Sequence, residues 1–205
     1  GSLHVADIPA IPVALGINTL TYSDSSGWGW NVTTVQLPAG GTLVYSPSWL
    51  GPKTLERVGA DGDPTILCAP NMYHHITLER FRKRWPQAVT VASKGAIPRL
   101  EKKGHRGLRP VEEVLPQLPS GARWHEPEGT KSGEVWLSVP HEQGTVLIVG
   151  DAFFHVTRPT RGLIGFMLRL LKVVPGLRIS TTYRLLAVSD VTRCRASSLA
   201  LVRNI

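Results

Sequence analysis

The stretch from Ile66 to Ala92 restricts the possible folds more than any other part of the chain. Ile66-Leu67-Cys68-Ala69 is apolar without alternation, the pattern of a strand covered on both faces. Thr77 to Trp85 then sets Leu78, Phe81 and Trp85 at helical spacing, which predicts a helix with one apolar face. Pro86 ends it, and Ala88 to Ala92 reads as the next strand. Strand, helix and strand in this order predict a parallel pair joined by a right-handed crossover.

The flanking segments add hairpins. Residues 13–22 and 31–37 read as strands, Pro38 to Gly41 as a tight turn, and Thr42 to Ser46 as a further strand, so that 31–46 is a hairpin. Pro52 to Val58 predicts a short helix. Residues 95–130 read as irregular, with a short helix near 110–115. Glu134 to Val139 and Thr145 to Val149 are two strands joined by a loop that holds His141. Leu163 to Val174 predicts an amphipathic helix ended by Pro175-Gly176. Asp190 is placed to cap a last helix from Val191 to about residue 202. With 16 prolines and 20 glycines the elements must be short. Their order predicts a layered α/β sandwich.

A chain of 205 residues with 42% hydrophobic and 19% charged residues is ordinary globular material, not a disordered tail or a rod. No apolar run reaches the ~20 residues that span a bilayer. Leu163 to Val174, the richest, is interrupted by Arg169 and Lys172. It reads as a helix over the sheet or the cleft, with a membrane-surface helix as the alternative. Gly1-Ser2 resembles a tag remnant. Residues 1–11 read as an extension and 12–205 as a single domain. The start lacks the layout of a secretion signal, and two cysteines, Cys68 and Cys194, make no disulfide framework. The low cysteine count points to the cytoplasm, and a secretion signal ahead of the tag remnant stays open.

The net charge of +8 favours an acidic partner. Lys94, Arg99, Lys102, Lys103, Arg106 and Arg109 are opposed locally only by Glu101. No aromatic residue interleaves them, which argues against a nucleic-acid stacking platform and for a solvated loop or a small anionic ligand.

Two strand ends carry polar residues, and in open α/β sheets ligands bind beyond the carboxyl ends of strands. Asn71 to His75 follows the strand at 66–69, and Asp151 follows the strand at 145–149. Imidazole and carboxylate there suit metal ligation or proton transfer. The plainer readings are a histidine pair that caps and packs at a helix start, and an Asp151 that holds its turn by accepting backbone N–H bonds. His141 sits in a hairpin turn, where a surface histidine is the default.

Ser46-Pro47 after the early strand, Ala69-Pro70-Asn71 with His74 and His75 before the helix, Trp85-Pro86-Gln87-Ala88 after it, His141 ahead of Val149-Gly150-Asp151, and Tyr183 to Leu186 form an ordered set. In that order the chain resembles the metallo-β-lactamase superfamily, and within it an uncharacterised divergent branch, over residues 12–203. The resemblance implies a four-layer αββα sandwich with a site at one edge between two sheets. It also implies one or two zinc or iron ions that activate water for hydrolysis.

The chain departs from the superfamily's motif. Pro70 and Met72 stand where the first two histidines of His-x-His-x-Asp-His belong, and His74 stands where its Asp does. Only the last histidine is kept, as His75. Thr130 replaces the histidine of the Gly129 to Gly133 turn, and Asp151 keeps the bridging Asp. The superfamily's last strand and its His-Gly turn have no counterpart before Ile205. That would leave an open sheet edge that favours a homodimer, or mark a truncated chain. A two-metal site is therefore not expected. Two readings follow. One is a hydrolase with a remade centre for a single zinc or iron ion. It would use His74, His75, Asp151 and His141 as ligands, and His74, His75 and Asp151 as the catalytic groups. The other is a non-catalytic protein without metal. It would bind a small anionic ligand or a partner in the same cleft, rimmed by Trp49, Met72, Tyr73 and the basic loop.

Overall fold

The computed structural model describes residues 11–23, 29–151, 154–156, 176–178, 183 and 186–204. Strands β1 (Ile11–Ala14), β2 (Ile17–Ser23), β3 (Gly29–Gln36) and β4 (Thr42–Tyr45) form an antiparallel meander. From β4 onward the same sheet runs parallel. Helix α1 (Pro52–Arg57) leads to β5 (Pro64–Cys68), α2 (Leu78–Arg84) to β6 (Val89–Ala92), and α3 (Ile97–Lys102) to β7 (Leu108–Pro110). The strand–helix–strand unit at 66–92 is thus present, with Ile66 opposite Val89 and Cys68 opposite Val91.

Two expectations need correction. The strand expected over 13–22 is two strands. Gly16, at a φ of 73°, turns the chain between them, a left-handed position that glycine occupies without steric cost. The stretch 95–130 is not irregular. It holds the short helix expected near 110–115, as a 3-10 segment at Val111–Gln117, and also α3, β7 and β8 (Arg123–His125). These pieces span three to seven residues, too few for a periodicity to show.

Strands β8, β9 (Trp136–His141) and β10 (Gly144–Ile148) make a second, antiparallel sheet. A short ladder pairs β11 (Phe154–Val156) with β12 (Gly176–Arg178). Helix α4 (Val191–Asn204) starts as the sequence indicates, with the Arg193 N–H donating to Asp190 Oδ1 at 3.0 Å. The helix expected over Leu163 to Val174 lies outside the described residues. Among the described residues no helix is long and apolar enough to cross a membrane.

Three apolar layers stack these parts. Successive residues of β4 and β5 point to opposite faces of the large sheet, as the pleat requires. Leu43, Tyr45, Ile66 and Cys68 join Val135, Leu137, Val139 and Ile148 between the two sheets. Val44 and Leu67 face the other way and pack with Leu55 of α1, Leu78 and Phe81 of α2, and Leu100 of α3. Trp136, on the far face of the second sheet, packs with Tyr183, Ala187 and Val188, and Cys194 and Leu201 of α4 lie against them. The order is helices, sheet, sheet, helix: an αββα sandwich. Leu43, Val44, Ile66, Leu67 and Leu137 are all fully buried. At about 1.5–3 kcal/mol for each large apolar side chain, these layers dominate the favourable side of folding.

Candidate functional site

Strands β4, β5 and β10 end, and β9 begins, at one edge of the sandwich. The loop after β5 is anchored to the turn before β9, since Met72 N–H donates to Ser132 O and Val135 N–H to Pro70 O. That turn must be glycine at Gly133. Its φ is 64°, and a β-carbon there would sit 2.6 Å from Ala96 N. The clamp brings Asn71 beside Glu134.

Asn71 organises the loop. Its Oδ1 accepts the N–H groups of Tyr73 (2.8 Å) and His74 (3.1 Å), an Asx-type turn. Its amide Nδ2 donates to Glu134 Oε2 and to Asp151 Oδ2, both at 3.1 Å. The turn delivers His74 to the centre. His74 Nε2 is 2.6 Å from Asp151 Oδ1, and His74 Nδ1 is 2.6 Å from Ser46 Oγ. Ser46 closes β4 at a φ of 61°, the only non-glycine residue in that region among the described residues. Its backbone N–H extends the ladder to Cys68 O. Thr77 Oγ1 donates to Pro47 O and ties the next loop to the start of α2.

The charges follow from this packing. Burial alone would lower the His74 value. The Asp151 hydrogen bond and charge, helped by Glu134, outweigh it and hold the imidazole above its usual range. Burial would raise Asp151, but the His74 hydrogen bond and charge and the Asn71 amide bring it below the usual carboxylate range. The pair is an imidazolium and a carboxylate over the window between these values. Glu134 is 1% exposed. Burial, reinforced by the Asp151 charge, pushes it up to about 7, against hydrogen bonds from Trp136 Nε1 and Asn71. Burial and then the Glu134 charge push the Tyr183 phenol up in turn.

His74 and Asp151 are brought together as the sequence reading requires. His75 is not. Its Nδ1 is 3.0 Å from His105 Nε2 and its Nε2 is 3.0 Å from Lys103 Nζ. His105 Nδ1 in turn lies 3.0 Å from Glu79 Oε1. Lysine can only donate, so this is a polarised chain from Lys103 to Glu79 through the buried His105. Consecutive residues of the turn face opposite ways, which separates the two imidazoles. His141 also stays away. It ends β9 at the hairpin, and Leu15 N–H donates to its Nε2 at 3.2 Å. From Gly144 at that hairpin to Ile148 at the end of β10 the chain rises roughly 13 Å, and Asp151 follows three residues further on. Four ligands around one ion are therefore not assembled.

The residues do not fit the metal that the fold implies. Pro70 offers no lone pair from nitrogen. The thioether of Met72 lies 2.9 Å from an Arg99 guanidinium nitrogen. His74 and Asp151 hold each other, and the Asn71 group between the two carboxylates is a donor, where a cation needs acceptors. Among the described residues no group of three or more His, Cys, Asp or Glu is arranged to hold an ion.

Ser46, Asn71 and Glu134 had no role in the sequence reading beyond the motifs or strand they belong to. A small polar residue ending the apolar run Leu43-Val44-Tyr45 was a signal, by the strand-end rule that singled out Asp151. So was a glutamate entering the apolar run Val135-Trp136-Leu137. The expected rim is partly assembled. Lys103 Nζ donates to Met72 O at 2.8 Å and lies 5.8 Å from the Tyr73 ring centre. Trp49 is 51% and Tyr73 38% exposed.

No protein-family model matches the chain, and no curated protein matches it in sequence. Solved structures do. The DIM-1 metallo-β-lactamase superposes with a TM-score of 0.57 at 12% identity, over 98% of this chain and 100% of that one. The same β-lactamase exposed to ceftazidime gives 0.55 at 13% identity, over 76% and 74%. The metal-soaked Flv1 flavodiiron core from Synechocystis sp. PCC6803 gives 0.55 at 13% identity, over 71% of this chain and 42% of that one. The chain thus spans less than half of the flavodiiron core. It has the metallo-β-lactamase fold. Within that fold its centre differs, with a serine, an imidazole, an amide and two carboxylates bonded to one another.

Proposed function

We propose that this is a hydrolase-type protein of the metallo-β-lactamase fold whose proton chemistry is carried by His74 and Asp151. The 2.6 Å contact between His74 Nε2 and Asp151 Oδ1 supports the reading. The carboxylate holds the proton on Nε2, leaving Nδ1 as the base, and it stabilises the imidazolium formed when Nδ1 takes a proton. The two side chains are 22% and 26% exposed, so both can be reached from solvent. Lys103 beside Met72 and Tyr73 favours an anionic substrate.

The test is turnover of p-nitrophenyl esters, acyl-thioesters and a phosphodiester with a chelator present. His74→Ala should lower any activity by about a hundredfold or more, the usual scale for a lost general base. Activity that vanishes with the chelator, or survives in His74→Ala, contradicts the reading.

The exposed Tyr73 beside Lys103 favours a second reading: a protein that binds an anionic ligand here without turning it over. A thermal midpoint raised by nucleotides or acyl-thioesters that remain intact would support it. A cytoplasmic location, on the low cysteine count, and a homodimer belong to the proposal. Light scattering of the purified protein decides the second.

A further inference from the structure

We propose that Ser46 is a nucleophile, forming with His74 and Asp151 a serine relay that transfers short acyl groups from esters or thioesters of anionic carriers. The proposal rests on the hydrolase reading and adds the attacking atom, a covalent intermediate and the substrate class.

Three observations carry it. Ser46 Oγ lies 2.6 Å from His74 Nδ1, within reach for direct proton transfer. Asp151 occupies the other ring nitrogen at 2.6 Å, so the neutral imidazole has its lone pair on the serine side. Ser46 also sits in the left-handed region at a φ of 61°, at the end of a buried strand. A turn alone would be served by glycine at lower cost, and backbone strain of this kind gathers at functional positions. The relay thus has a nucleophile, a base and an orienting carboxylate, each from a different strand end.

Burial sets the substrate class. Ser46 is 4% exposed, which favours a small acyl group at its Oγ. The rest of the substrate stays outside, where Tyr73, the neighbour of His74, is exposed and Lys103 lies 5.8 Å from its ring centre.

In the first step Ser46 Oγ bonds to the carbonyl carbon and its proton passes to His74 Nδ1. The bond from that carbon to the leaving oxygen or sulfur breaks, and the leaving group takes the proton from Nδ1. Water then attacks the acyl-serine and gives its proton to Nδ1. The carboxylic acid departs, and the proton returns to Ser46 Oγ.

The experiment mixes full-length protein with p-nitrophenyl acetate and, separately, an acetyl thioester. It follows p-nitrophenolate release and maps any acetyl group by mass spectrometry after acid quench. The expected result is a burst stoichiometric with protein, with acetyl on Ser46. Ser46→Ala should lose the burst and on the order of a millionfold in rate, the scale for a lost nucleophile. Mapping on the wild-type chain keeps the test valid if that variant fails to fold. Acetyl on another residue overturns the proposal. So does a Ser46→Ala variant that hydrolyses like wild type while His74→Ala does not. That second result leaves the hydrolase reading standing, with water as the attacking group. Neither burst nor turnover on any substrate overturns both.

Discussion

His74 Nε2 stands 2.6 Å from Asp151 Oδ1, joining the loop after β5 of the large sheet to the end of β10 in the small one. The contact is a cross-link between the two halves of the sandwich as well as a chemical pair. Their shifts give it a pH window. The His74 value is raised, so its contribution to stability is full below the ordinary histidine range and is lost as pH rises through the folded value. The Asp151 value is lowered, so its contribution is full above the ordinary carboxylate range and is lost as pH falls through the folded value.

Asp151→Asn should therefore cost most in mildly acidic solution, where both charges are present. A charge-assisted hydrogen bond of this burial is worth about 1–3 kcal/mol. Urea unfolding at about pH 5 and again well above the histidine range measures the difference, with the larger loss expected at the lower pH. The same variant should drop the His74 titration below its ordinary range, because burial, its largest influence, then prevails. An unmoved imidazole titration in the NMR spectrum would show that Asp151 does not set it.

Glu134 acts in the opposite direction. Its folded value of about 7 lies above the ordinary 4.5, so the native state holds a proton that the unfolded chain releases. Stability from this group falls as pH rises from the ordinary value to the folded one. The full span is roughly 3 kcal/mol at 1.36 kcal/mol for each pH unit. Carbon-13 titration of the Glu134 carboxylate should give a midpoint near neutrality. A midpoint in the usual glutamate range would mean that water reaches it.

Ser46 allows a test of backbone against side chain. Ser46→Ala and Ser46→Gly both remove the Oγ bond to His74. Alanine keeps a β-carbon at a φ of 61°, whereas glycine does not. Glycine should be the more stable variant by about 1 kcal/mol, although glycine usually loses to alanine. Denaturant midpoints decide it, and alanine equal to or above glycine would rule out backbone strain at this position.

The parts of the fold that the sequence shows are those with room for a period. Thr77 to Trp85 and Ile66 to Ala69 display theirs, and their pairing follows from chain order. Asp190 announces α4 because capping is local. α3, β7 and β8 stay hidden, since their identity comes from the neighbours they pack against rather than from their own residues. The site divides in the same way. His74 and Asp151 are legible as polar ends of apolar strands. Which of two adjacent histidines turns inward depends on Asn71, whose side chain fixes the loop through the N–H groups of Tyr73 and His74. Glu134 is placed by a bond from Val135 to Pro70 across two loops distant in sequence, which no local pattern records.

The last prediction concerns metal. To bind zinc here an ion would have to separate His74 from Asp151 and displace the Asn71 amide, and His75 and His141 stand elsewhere as its third and fourth donors. A ligand that binds only the folded state raises the unfolding temperature, by an amount that grows with the logarithm of its concentration over its Kd. The thermal midpoint should therefore stay unchanged within error when zinc, ferrous iron or a chelator is added to untagged protein. A zinc-dependent rise that disappears in both His75→Ala and His141→Ala would show that the four side chains gather around an ion after all. A rise that disappears only in His74→Ala would place the ion on the His74–Asp151 pair and remove the base from the proposed relay.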